Sequence, residues 1–152
     1  MLKIFIDADA CPVKNEVYKV ARRYSMRVIL VANSWMEIPV SERIRLEVVG
    51  DGFDEADDWI VDHVEAHDIV ITADVPLADR CVKKDAVALN HTGKPFTEDT
   101  IGHALATRDL MTGLRAAGEV TSGPRPMQPK DRSKFLQQLD TMIQKIKRKH
   151  EK

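Results

Sequence analysis

The chain predicts an α/β domain built on a mostly parallel sheet. Short apolar, β-branched runs recur along it, and the segments between them carry apolar residues at helical spacing. Carboxylates follow two of the runs closely, Asp7 after residues 4–6 and Asp74 after residues 68–72. In open parallel sheets ligands bind outside the carboxyl ends of the strands, where the strand order reverses, so these acids fall where chemistry is expected.

Taken in order, Ile4, Phe5 and Ile6 form a first strand that breaks into Asp7-Ala8-Asp9-Ala10-Cys11-Pro12. Pro12 suits a first helical position, and Val13, Val17, Val20 and Tyr24 supply the inner stripe of the helix. Residues 26–32 read as a buried strand followed by Asn33, Ser34 and Trp35, and residues 45–49 as another strand. A turn at 50–53 leads into a helix over 54–66, with Ile60, Val61 and Val64 facing inward. After the strand at 68–72, Pro76 opens a short helix carrying Leu77, Ala78, Cys81 and Val82, and residues 86–89 make a fifth strand. A loop over 90–97 contains Gly93 and Pro95. Ile101, Leu105, Leu110, Met111 and Leu114 then mark a helix over 98–117, with Gly118 as its stop. Gly123, Pro124, Pro126 and Pro129 make 119–129 an extended loop, and Phe135, Leu139, Met142, Ile143 and Ile146 line a last helix over 130–149. The expected organisation is one domain, residues 1–118 forming the α/β core and the last helix an arm.

Length and composition narrow the classes. At 152 residues the chain is long enough to bury about two-thirds of its surface in one domain. The 23 basic and 24 acidic side chains leave a net charge of -1, so no overall field draws nucleic acid, and only local patches could bind it. Aromatics at 5% weaken any scheme in which many bases stack on rings. Cys11 and Cys81 match no zinc spacing and read as reduced thiols of a cytoplasmic protein. No stretch of 18 apolar residues or leader-like segment occurs, so no membrane partner is expected. The basic helix end, Lys145, Lys147, Arg148 and Lys149, suits either nucleic-acid contact or a solvated terminus.

Three segments supply carboxylates to one predicted edge: Asp7 with Asp9, Asp54 with Asp57 and Asp58, and Asp74 with Asp79. Asp7 and Asp9 share a side if the extended geometry persists, where two charges about 4 Å apart repel by roughly 4 kcal/mol at an effective dielectric near 20. A divalent cation or a raised pKa would relieve that; alternatively Asp9 caps the next helix. Asp57 precedes Val61 by four residues and Val64 by seven, so its carboxylate extends the apolar face and points inward. Asp58 falls on the solvated side, and Asp54 either caps the helix or turns to the cleft. An acidic first turn complementing the helix dipole is the alternative for the whole group. Hard oxygen donors suit Mg²⁺ or Mn²⁺ rather than zinc, and metal-assisted phosphodiester hydrolysis is the natural chemistry. Asn33 and Ser34 at a strand end, with Arg108, Arg115, Arg125, Lys130 and Arg132, are candidates for holding phosphate, although turn chemistry and solvated charge explain each singly. Cys11 at a helix start is either a stabilised thiolate or a small buried residue, Cys81 is core, and the five histidines read as surface or capping residues.

The stretches DADACPVK at 7–14, VAN at 31–33, GFDEAD at 52–57 and VITADVPLA at 70–78, with a GP, a DR and Phe135 toward the C-terminus, resemble the YaiI/YqxD family of the PIN-like superfamily. The resemblance implies a three-layer domain on a five-stranded parallel sheet of order 3-2-1-4-5. By analogy with PIN nucleases and flap endonucleases, it also implies a metal-dependent nuclease of RNA or single-stranded nucleic acid. Carried over, Asp7, Asp57 and Asp74 are the catalytic acids, with Asp79 nearest to a fourth; Asp9 and Asp54 complete the set of candidate ligands for Mg²⁺ or Mn²⁺. Two rivals stand beside it. Asp7-Ala8-Asp9 and Gly50-Asp51-Gly52 also resemble a haloacid-dehalogenase phosphohydrolase with Asp7 as nucleophile, but Cys11 replaces the usual Thr or Val and no lysine motif follows. A metal- or RNA-binding protein without turnover is the other.

Overall fold

The computed structural model describes residues 2–50, 52, 54–103, 106 and 127–150. Five strands, β1 (Lys3–Asp7), β2 (Arg27–Ala32), β3 (Ile44–Val48), β4 (Ile69–Ile71) and β5 (Val87–Leu89), form one all-parallel sheet in the order β3-β2-β1-β4-β5. Helices α1 (Lys14–Tyr24), α2 (Glu55–His63), α3 (Val75–Val82), a helical stretch α4 over 98–103, and α5 (Pro129–His150) complete the described elements. Because β2 and β3 lie to one side of β1 and β4 and β5 to the other, the order reverses between β1 and β4. Ile6 pairs with Ile71 there, which places Asp7 and Thr72 side by side at the open end.

β1, β2 and β4 carry unbroken apolar runs because both faces of the sheet are covered there, whereas the edge strand β3 alternates apolar and charged residues. Ile4, Ile6, Val28, Leu30, Ile69 and Ile71 pack on one face against Val13, Val17 and Val20. Phe5, Val31 and Val70 pack on the other against Ile60, Val64, Leu77 and Cys81. Phe135, Leu139 and Ile143 are wholly buried on the α1 side, so the expected C-terminal helical arm packs its apolar stripe into the core.

Polar contacts fix α5 along α1. Asp140 is buried and accepts hydrogen bonds from Arg23, Tyr24 and Gln144, while Arg132 donates to the Pro12 carbonyl at 2.6 Å and to Glu16 at 3.0 Å. Tyr24 leads the interactions that hold the Asp140 carboxyl below its ordinary range. The expectation that Pro12 opens α1 is corrected: residues 12 and 13 form a turn and the helix starts at Lys14. α2 is also shorter than expected, since Val64 is already extended, though still buried. Leu105, Leu110, Met111, Leu114, Gly118 and most of the loop over 119–129 lie outside the described residues. No helix among the described residues is long and apolar enough to cross a membrane.

Asp140→Ala removes three side-chain hydrogen bonds and leaves Arg23 and Tyr24 without their acceptor. It should cost about 2 kcal/mol and lower the melting temperature by roughly 4–8 °C, read by calorimetry. Because the Asp140 carboxyl is depressed in the fold, its contribution is present above the unfolded-state pKa and disappears as pH falls through the lower folded-state value. The difference between wild type and variant should therefore shrink at strongly acidic pH.

Candidate active site

Three chain segments meet at the reversal between β1 and β4. Asp7 is the last residue of β1 and is half-buried. Thr72, wholly buried just beyond β4, donates its hydroxyl to Asp7 Oδ2 at 2.9 Å and accepts the Asp74 N–H at 3.0 Å. Asp74 is the N-cap of α3, its Oδ1 accepting from Leu77 N–H at 3.0 Å, with Pro76 in the first turn where no donor is needed. The helix start and the strand end are thus joined through one threonine hydroxyl.

Burial and mutual repulsion both act on these acids. Burial raises the Asp7 pKa, the Thr72 hydrogen bond partly offsets this, and Asp74 and then Asp9 raise it further. Asp57, on the inner side of α2, is pushed up to about 6 by burial first, then by Asp74, Asp7 and Asp54, against a smaller opposing effect of Arg80. Asp57 therefore lies within electrostatic reach of both Asp7 and Asp74. Asp58 is exposed and pairs with Arg80 at 2.8 Å, as its position on the helix predicts.

The remaining candidates divide. Alternation does not extend to Asp9, because Ala8–Ala10 is a 3₁₀ turn, and Asp9 caps no helix: Val13 is the N-cap of α1. Instead Asp9 Oδ2 accepts the Asn33 N–H at 2.9 Å, and the Asn33 side-chain amide donates to the Gly50 carbonyl at 2.8 Å. Asn33 thus ties the ends of β1 and β2 to the segment after β3. Asp54 stands at the N-cap of α2 in the left-handed region (φ 62°) without a side-chain cap, so its carboxylate is left to act on Asp57. Asp79 pairs with Lys83 at 2.9 Å, and it is absent from the charges that act on Asp7 and Asp57. Arg132 is engaged with Pro12 and Glu16; Lys130 and Ser34 are exposed. Arg108, Arg115 and Arg125 lie outside the described residues.

Among the described residues, no three His, Cys, Asp or Glu side chains are gathered closely enough to hold a metal ion between them. Mg²⁺ binds through one or two protein carboxylates while keeping several waters, so the Asp7, Asp57 and Asp74 donors suit such an ion chemically. Burial pushes the Cys11 thiol up to about 11, which makes it a buried core residue and not a stabilised thiolate.

The profile of the family described as uncharacterised BCR, YaiI/YqxD, matches residues 5–145. The chain belongs to the YaiI/YqxD family. It is 53% identical over 149 residues to a UPF0178 protein of Rhodopseudomonas palustris strain TIE-1, covering 98% of this chain and 94% of that one. To a UPF0178 protein of Caulobacter sp. strain K31 it is 53% identical over 148 residues, covering 97% and 98% of the two chains. No solved structure matches the chain.

In this YaiI/YqxD protein, reasoning from the sequence passed over Thr72, the residue that couples the two strand-end aspartates. A lone polar side chain closing a fully apolar strand was the available sign of it. His91 is likewise not a surface residue: its Nε2 is buried without a partner among the described residues, and burial lowers its pKa.

Because Asp57 has a higher pKa folded than unfolded, its effect on stability is most favourable at acid pH and is lost as pH rises through about 6. Asp57→Asn should therefore stabilise the protein at pH 8 by about 1 kcal/mol, after allowance for solvent screening of a half-exposed group, and raise the melting temperature by roughly 2–4 °C. The gain should vanish near pH 4; an equal gain at both pH values would contradict the assignment.

Proposed function

We propose that this protein is a metal-dependent phosphodiester hydrolase, a nuclease of PIN-like type acting on RNA or single-stranded nucleic acid, with Asp7, Asp57 and Asp74 as its acidic centre. The observation that carries the reading is Asp57, held near pH 6 by burial and by the charges of Asp74 and Asp7. A structural helix-start acid belongs on the solvent side, as Asp58 does. Three carboxylates brought by β1, α2 and the α3 cap to a strand-order reversal would instead form an anionic centre that a cation relieves.

Asp7, Asp57 and Asp74 would hold Mg²⁺ or Mn²⁺. The bound ion would supply activation of water and neutralise charge on the phosphoryl oxygen. The chain's own part is orientation and charge. Thr72 holds one Asp7 oxygen and leaves the other free to face the cleft, and the Leu77 N–H does the same for Asp74. Asp57 keeps its proton below about pH 6 and releases it above, so cation binding should strengthen as pH rises through that value. Asp9 acts at one remove, through Asn33, by setting the end of β2 beside the cleft.

Purified protein should cleave a mixed-sequence RNA with Mn²⁺ and stop on addition of chelator. The double substitution Asp7→Asn and Asp74→Asn should reduce cleavage to background, while Thr72→Val, which frees Asp7 without removing a charge, should cost roughly 10- to 100-fold. Cleavage that persists with chelator or in the double variant would refute the proposal.

A further inference from the structure

A second site lies at the opposite, amino end of the sheet, on the face covered by α2. Lys3, Arg27 and Arg43 enter or precede β1, β2 and β3 at one level of the register, since Lys3 pairs with Arg27 and Val28 with Ile44. Four residues of β1 separate this level from Asp7, roughly 13 Å of extended chain. Between α2 and β3 this face forms a cavity of about 330 Å³. Phe5 and Ile29 make its floor, Trp59 and His63 belong to the α2 wall, and Arg27 and Arg43 line the β2 and β3 side.

Its chemistry is specific. Trp59 and His63, one helical turn apart, are already stacked with ring centres 3.7 Å apart and planes 14° from parallel, and the His63 Nδ1 lies 2.7 Å from the Trp59 carbonyl. Phe5 packs on Trp59 at 6.2 Å. The cations are not equivalent. Lys3 is paired with Glu65 at 3.3 Å and with Asp68 at 3.8 Å, and Arg45 is paired with Glu47. The guanidiniums of Arg27 and Arg43 have no partner among the described residues, and Glu42 is the one lining carboxylate in the same position, so the unpaired charge is cationic. An aromatic stack set beside two free guanidiniums in a cavity of this size matches a flat ring joined to a phosphate.

We propose that this cavity binds a single 5′-nucleotide unit, its base packed against the Trp59–His63 stack and its phosphate held by Arg27 and Arg43. The site is separate from the carboxylate cleft and does not depend on any activity there.

The test is titration of the full chain with AMP, followed by calorimetry and amide chemical shifts. AMP should bind saturably, with shifts at Arg27, Ile29, Arg43 and His63, and adenosine and ribose 5-phosphate should each bind at least about fivefold more weakly because each lacks one half of the contact. The exposed pair Arg27→Glu and Arg43→Glu should weaken AMP roughly tenfold or more, and His63→Ala should weaken it several-fold. The Asp7→Asn and Asp74→Asn variant should bind AMP as wild type does. A 5′-phosphorylated tetranucleotide distinguishes the sources: binding at least as tight as AMP assigns the site to a strand end, and exclusion assigns it to free nucleotide. Absence of saturable binding up to about 5 mM, shifts confined to the carboxyl edge, or an affinity unchanged both by the Arg27→Glu and Arg43→Glu pair and by His63→Ala would overturn the proposal.

Discussion

The Thr72 hydroxyl is the interaction on which the carboxyl edge depends. It donates to Asp7 and accepts from the Asp74 backbone, so one buried group sets the end of β1 against the start of α3. Without it, Asp7 would lose the one hydrogen bond that offsets its burial, and the α3 cap would lose its anchor on the sheet. The arrangement keeps two anionic side chains close at a place where water is partly excluded, which is costly unless a proton or a cation shares the load. Below about pH 6 Asp57 carries that proton. Asp57, brought from the helix opposite, has its pKa raised first by its own burial and then by the charges of Asp74 and Asp7.

The two faces of the sheet do different work. The α1 and α5 side is a closed apolar layer, sealed by Phe135, Leu139 and Ile143 and fastened by Asp140 and Arg132. This side provides the rigid base from which β1 projects Asp7. The α2 and α3 side carries the acids and, at its far end, the aromatic and guanidinium cavity. Its β3 flank is polar, with Arg45 and Glu47 on the strand, and Arg45 lines the cavity.

Much of this was legible from the residues. Unbroken apolar runs marked the covered parallel strands β1, β2 and β4, and the spacing of Asp57 from Val61 and Val64 agrees with its partial burial on α2. Local backbone changes were not legible. Asp7 and Asp9 looked like equivalent partners, yet a single 3₁₀ turn breaks the alternation, and Asp9 is taken by the Asn33 amide N–H. Pro12 looked like a helix start, but the chain makes a further turn, and Val13 rather than an acid precedes the helix. The Trp59–His63 stack follows from their spacing of four on α2, whereas its meeting with the guanidiniums of Arg27 and Arg43 is a juxtaposition with no trace in linear spacing.

Asp7, Asp57 and Asp74 are proposed to form one electrostatic unit. The most direct measurement is the titration of the aspartate side-chain carbons by nuclear magnetic resonance, in wild type and in Asp74→Asn. Asp57 should titrate near pH 6 in wild type and distinctly lower in the variant, because the leading charge acting on it has been removed. An Asp57 that titrates in the ordinary aspartate range, or one indifferent to the loss of Asp74, would contradict the shared site.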